Sequence, residues 1–170
     1  MNIKPNANEY GSYYERYILL VPDGNILDIL SKQNDQVKVF FNEISEEISQ
    51  YRYAEGKWSI REILGHIIDT ERIFSYRALR ISRNDKTALP GFEQDDYVPF
   101  SNHANTLLKN LVEEFFLLRK ANLKLFASFT GEMWMRTGTA SENPLSVKAA
   151  AYILAGHPLH HINVIKERYF

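Results

Sequence analysis

The chain's 170 residues fit one domain able to bury a sizeable core. Its 20 basic and 21 acidic side chains lack the basic surcharge of a nucleic-acid binder, and 45% apolar with 24% charged residues is ordinary for a globular protein. No run approaches the roughly 18 to 20 apolar residues needed to cross a bilayer, the first residues lack the basic start and apolar core of a signal peptide, and zero cysteines exclude disulfides, thiolate metal sites and a cysteine nucleophile together.

These features predict one cytoplasmic unit over residues 1–170, with residues 1–22 as an N-terminal extension packed on it. Pro22-Asp23-Gly24-Asn25 signals the start of a first helix, whose apolar residues recur at three- and four-residue steps from Ile26 through Leu30, Val37, Phe41, Ile44 and Ile48 to Tyr51. Ser59-Ile60-Arg61-Glu62 is a capping box that opens a second helix running to about Ser82. Its inner stripe is Ile63, His66, Thr70, Ile73, Phe74, Arg77 and Ile81. Residues 83–103 form a long connection, and its aromatic residues predict a packed lid. A third helix spans Leu107 to Phe129 and ends near Gly131, and a fourth starts at Ser146 or Asn143 and continues past Val164. No stretch shows the alternation of a half-buried strand, so sheet content should be near zero and the class all-α. The pattern is a four-helix bundle in which the short first connection favours antiparallel neighbours and the long one permits a crossover between the second and third helices.

Three of the five histidines fall within Gly156-His157-Pro158-Leu159-His160-His161. On a helix, His157 and His161 share a face and can grip one ion, while His160 lies on the flank. His66 sits on the inward stripe of the second helix, where an unpartnered imidazole is costly. Two readings are open for it: a hydrogen-bonded core residue, or the third ligand of a His66, His157, His161 site with open positions for water or substrate. Pro158 removes a backbone donor and crowds the Leu154 carbonyl, yet the apolar pattern resumes in register after it, which predicts a kink rather than a stop. Asp69 could orient an imidazole or act as a base, or simply pair with Arg72. Glu71 points away from the inner stripe, toward a surface or subunit contact. Arg77 is expected to be paired structurally, with an anionic substrate group as the other reading. His103 reads as a helix-entry residue.

Trp58-Ser-Ile-Arg-Glu-Ile-Leu-Gly-His66-Ile-Ile-Asp-Thr-Glu-Arg72, Tyr76-Arg-Ala-Leu-Arg80, Pro90-Gly-Phe-Glu-Gln-Asp-Asp-Tyr97 and Ala155-Gly-His157-Pro-Leu-His-His161 together resemble the DinB-like superfamily, the bundle group that includes YfiT-type metal-dependent hydrolases. The likeness runs from about Tyr10 to Tyr169. It implies up-down-down-up topology, a homodimer, and one divalent metal, usually nickel or zinc, held at His66, His157 and His161. Pro158 departs from the polar residue common at that position. The resemblance further implies a small-molecule substrate and a hydrolase or a thiol S-transferase that uses a low-molecular-weight thiol. A non-catalytic, metal-stabilised binding or stress-response module is the alternative, since fold does not fix function.

Overall fold

The structure, a computed structural model, describes residues 4–170. Its helices are α1 (Glu15–Ile18), α2 (Ile26–Asn42), α3 (Ile60–Ser82), α4 (Gln94–Phe100), α5 (Leu108–Ala127), α6 (Gly131–Met135) and α7 (Val147–Arg168), and a two-stranded antiparallel sheet pairs β1 (Thr137–Ala140) with β2 (Asn143–Ser146). The long helices α2, α3, α5 and α7 make the four-helix bundle, in up-down-down-up order with the crossover between α3 and α5.

Each long helix begins where local chemistry satisfies its exposed amides. Asn25 accepts from the Leu27 amide at α2. At α3 the predicted capping box is complete: Ser59 Oγ accepts from the Glu62 amide, and Glu62 Oε2 accepts from the Ser59 amide at 2.7 Å. At α7 the starting residue is Ser146, whose Oγ accepts from the Ala149 amide at 2.9 Å and donates to Glu9. Helix α5 has no capping side chain at Leu107. Instead the carboxylate of Glu46, distant in sequence, accepts from the Leu108 and Lys109 amides at 2.9 and 3.2 Å.

That contact explains why the first helix is shorter than its periodicity predicts. Helix α2 stops at Asn42 and the chain turns, with a 3-10 turn at Ile48–Gln50, so that Glu46 reaches α5 and Arg61. Ile44 remains buried, but Ile48 and Tyr51 are about half exposed. The short connection also does not make α2 and α3 packed neighbours. Each lies against α5 and α7, which places the two across the bundle diagonal.

Sheet content is small but present. The β1–β2 hairpin turns at Ser141 and Glu142, both with positive φ (51° and 62°), the backbone twist that suits a two-residue hairpin loop. The 83–103 segment docks on it, with the Leu89 amide donating to Thr139 and the Ser141 amide donating to Leu89. Leu89 and Val98 of this segment are buried, so the connection does pack on the bundle, but through these aliphatic residues: of the aromatic residues that suggested a packed lid, Tyr97 and Phe100 are exposed and Phe92 is only partly buried.

Two apolar clusters occupy the ends of the bundle. One gathers Tyr17, Ile18, Leu30, Phe74, Phe126 and Tyr152, and the other Val37, Phe41, Ile63, Leu111, Phe115 and Ile165. Between them lies a polar waist. Its residues are Gln33, His66, Thr70, Glu71, Arg119, Asn122 and His157, all buried.

Candidate metal centre

Helix α3 places His66 on its bundle-facing side, and α7 presents His157 and His161 one turn apart, as the four-residue spacing requires. The three rings meet at their Nε2 atoms. His157 Nε2 lies 3.0 Å from His66 Nε2 and 3.0 Å from His161 Nε2, and the three candidate ligand atoms all fall within 4.8 Å of one another. Each neutral imidazole nitrogen carries either one proton or one lone pair, so protons alone cannot join three converging nitrogens in good geometry. A single cation takes all three lone pairs, and two nitrogens at about 2.0–2.1 Å from one tetrahedral ion stand about 3.3–3.4 Å apart, so the two 3.0 Å separations are a little short of that spacing while the group as a whole spreads to 4.8 Å.

The electrostatics point the same way. Burial, the largest influence, lowers the pKa of His66 to about 4 against an ordinary 6.5. Burial followed by the neighbouring imidazoles holds His157 and His161 well below 6.5. All three are therefore neutral near pH 7, the state in which imidazole donates to a metal. The Trp58 ring lies tilted 5.0 Å from His66, and the Tyr17 ring meets His157 edge-on at 5.2 Å, so aromatic surface shields the cluster.

Pro158 does not interrupt α7, which is continuous from Val147 to Arg168. The missing proline donor leaves the Leu154 carbonyl without its helical partner, and Arg119 Nη2 donates to that oxygen at 3.0 Å. Gln33 Nε2 donates to the next carbonyl, Ala155, at 2.6 Å. The Arg119 side chain from α5 thus replaces the donor that the proline removes, Gln33 from α2 adds a bond to the adjoining carbonyl, and both ligand candidates keep their register.

Other singled-out residues take different places. Asp69 makes no hydrogen bond to the three histidines among the described residues. It accepts from or shares a proton with His103 Nε2 at 3.1 Å, and Arg72 lies 3.9 Å away. His103 does open a short 3-10 turn, but its ring also packs so closely on Gly65 that a Cβ there would overlap it. His160 is half-buried beside Tyr17 and His161. Arg77 is 2% exposed and donates to the Pro90 carbonyl and to Ser141 Oγ at 2.8 and 2.9 Å, tying the lid segment to the hairpin without a carboxylate partner among the described residues.

Glu71 corrects the expectation of a surface residue. It is 1% exposed and forms a bidentate pair with Arg119, both bonds 2.8 Å, while Asn122 donates to the same carboxylate. The face of α3 opposite the histidine is not solvent-facing because α5 covers it.

A cavity of about 400 Å³ reaches His66 and His157. Its walls include Tyr13, Tyr14 and Tyr17 from the N-terminal segment, Thr70 and Phe74 from α3, Gly91 to Asp95 from the lid segment, and Ser141 and Asn143 from the hairpin. The segment 83–103 therefore walls the cavity without sealing the histidines. Asp69 is not among the lining residues. The tyrosines of the N-terminal segment escaped the sequence reading, although their density between Tyr10 and Tyr17 was visible; their placement depends on the contact between α1 and α7.

Residues 29–165 match the DinB superfamily, a span that holds all three histidines. The chain belongs to the DinB superfamily. A curated relative from Oceanobacillus iheyensis, named "Putative metal-dependent hydrolase", is 22% identical over 157 residues, covering 87% of this chain and 90% of its own length. Among solved structures, YfiT from Bacillus subtilis, described as "a probable metal-dependent hydrolase with an unusual four-helix bundle topology", aligns with a TM-score of 0.73 and 14% identity over 98% of this chain and 91% of that one. A mycothiol-dependent maleylpyruvate isomerase aligns with a TM-score of 0.65 and 8% identity, over 81% of this chain and 58% of that one. At these identities the structural likeness establishes the DinB fold alone.

Proposed function

We propose that this DinB-superfamily protein is a metal-dependent enzyme, a hydrolase or thiol S-transferase, in which His66, His157 and His161 hold one divalent ion, nickel or zinc, and a small molecule is the substrate. The observation that carries this reading is the convergence of three neutral Nε2 atoms, two of them on residues, His66 and His157, that line an open cavity. Three protein ligands with space beside them is the arrangement of catalytic rather than structural sites. Bound there, the ion supplies Lewis acidity, which makes water or a low-molecular-weight thiol a nucleophile near neutral pH. The names of the Oceanobacillus relative and of YfiT support hydrolysis, and the isomerase's thiol dependence supports thiol chemistry.

The protein's own groups have definable parts in this. His157 is fixed between the other two rings, and the Arg119 and Gln33 bonds to the turn that precedes it hold its backbone. Tyr17 and Trp58 exclude water from two flanks of the histidines. Tyr13, Tyr14, Phe74 and Phe92 offer ring surface to an organic substrate, and the hydroxyls of Ser12 and Ser141 offer polar contacts. An open cavity favours this reading over a non-catalytic module, which needs no route to the ion.

Elemental analysis of protein purified without an affinity tag tests the proposal. About one divalent ion per chain is expected, with loss of that ion in His66→Ala and metal-dependent turnover of an activated ester or of an electrophile with a small thiol. Metal far below one per chain and unchanged by His66→Ala would refute the centre. Full metal with no metal-dependent turnover of either substrate type would refute the enzyme.

A further inference from the structure

Thr70 follows His66 by one turn of α3 and so lies on the same face, at the wall of the cavity. It is 3% exposed, and its Oγ1 has no hydrogen-bond partner among the described residues. A helical threonine ordinarily turns its hydroxyl back to the carbonyl four residues earlier, here that of His66, and Thr70 makes no such bond. Valine has the same shape without the cost of an unpartnered buried hydroxyl. Among the described residues two other buried side-chain polar atoms are unpartnered, Asn34 Oδ1 and Tyr152 Oη, but neither residue borders the cavity. Thr70 alone of the three is positioned to meet a ligand.

We propose that the Thr70 hydroxyl donates a hydrogen bond to the anionic atom of the substrate, a thiolate or carboxylate-like oxygen, that enters the cavity beside His66 and His157. The inference rests on the metal-centre reading above and names the group that would orient a substrate there. A hydroxyl can donate or accept, but a substrate atom held at the three-histidine centre is an electron-rich Lewis base, so the unpartnered Thr70 hydroxyl meets it as a donor. Glu93 and Asp95, the carboxylates that also line the cavity, are exposed on the lid segment, where solvent screens their repulsion of an anion. Thr70 is thus a positioning residue that selects an anionic atom, while the aromatic walls select the remainder of the molecule.

The test uses cobalt(II)-loaded full-length protein titrated separately with 2-mercaptoethanol and with acetate, each followed by the visible absorption of the ion. Thr70→Val should bind cobalt in the wild-type amount yet hold the tighter of the two probes about three- to tenfold more weakly, the loss of one hydrogen bond. Thr70→Ser should largely restore the affinity. The melting temperature of ligand-free Thr70→Val should equal or exceed that of the wild type, because an unpartnered hydroxyl is removed; a merely structural threonine would instead lower it and leave probe binding unchanged. Equal probe affinity in Thr70→Val and wild type overturns the Thr70 assignment and leaves the metal centre standing, as does a failure of both probes to change the cobalt spectrum. Wild-type protein that takes up no cobalt overturns the metal centre, and the Thr70 assignment falls with it.

Discussion

A methyl group at Gly156 would overlap the backbone carbonyl of Tyr17, so the glycine between Ala155 and His157 is the contact that lets α1 lie against α7. In an exposed helix, Gly→Ala gains up to about 1 kcal/mol. Here the sign reverses. Gly156→Ala is expected to cost about 1–3 kcal/mol, as overpacking against rigid backbone does, and to lower the urea midpoint of unfolding. The substitution should also disturb the cavity, because Tyr13, Tyr14 and Tyr17 reach it from the displaced segment. At the same scale, the donor that the proline in the histidine motif lacks is replaced by Arg119 on the Leu154 carbonyl, with Gln33 on the adjoining Ala155 carbonyl. A residue that looked like a defect in a regular helix instead offers an acceptor to a buried arginine.

Among the elements, α3 carries the most chemistry, and its start is fixed electrostatically. Burial alone would raise the pKa of Glu62, but hydrogen bonds from Arg52 and Ser59 together with the charge of Arg52 hold it below the ordinary 4.5. Arg52 Nη1 stands 2.6 Å from the carboxylate. A carboxyl whose folded pKa lies below its unfolded value adds stability above the unfolded pKa and loses it as pH falls through the folded one. Glu62→Gln should therefore be less stable than the wild type at pH 7, by about 1 kcal/mol for the charged bonds lost. The difference should shrink as pH drops below 4.5, measured as paired denaturant midpoints across the range. An undiminished gap at low pH would mean that the amide fails for steric reasons and that the charge is irrelevant. Helix α5 obtains its cap from Glu46 across the fold, which couples the α2–α3 connection to the bundle.

At the scale of the molecule, the polar waist between two apolar clusters is the organising feature. On one side Glu71, Arg119, Gln33 and Asn122 bond α3, α5, α2 and, through Leu154, α7. On the other stand the three histidines and Thr70, carried by α3 and α7 alone. Arg119→Met is expected to cost about 3–5 kcal/mol, because it strands a buried carboxylate and frees the Leu154 carbonyl. Adding Glu71→Leu should recover much of that loss, since a buried ion pair often contributes little over apolar packing, and a double-mutant cycle on denaturant midpoints measures the coupling. An Arg119→Met protein as stable as the wild type would show that the waist does not brace the bundle.

Much of this was legible in the order of residues. Helical periodicity marked the four long helices, Ser59 and Glu62 announced the α3 cap, and the four-residue spacing put His157 and His161 on one face because a helix turns every 3.6 residues. The three-histidine grouping was one of two readings open for His66, whose inward imidazole needed a partner of some kind, and the family resemblance favoured it. The hairpin was not. Its strands are four residues each, one contains Pro144, and its turn is Ser141-Glu142 rather than a glycine pair, so neither alternation nor turn chemistry gave a signal. Glu71 was misplaced for a related reason. A helical wheel shows which residues share a face but not how many faces are covered, and α3 is packed by both α5 and α7. Arg119 and Asn122, polar residues one turn apart in an otherwise apolar α5 stripe, were the trace of its partner. What sequence alone determined was local: periodicity, caps, and which side chains lie within one turn of each other. Tertiary structure decided which helix faces meet, where the Leu154 carbonyl freed by Pro158 finds a donor, and that His66 and His157 border a cavity, because these depend on distances between segments that no local spacing encodes.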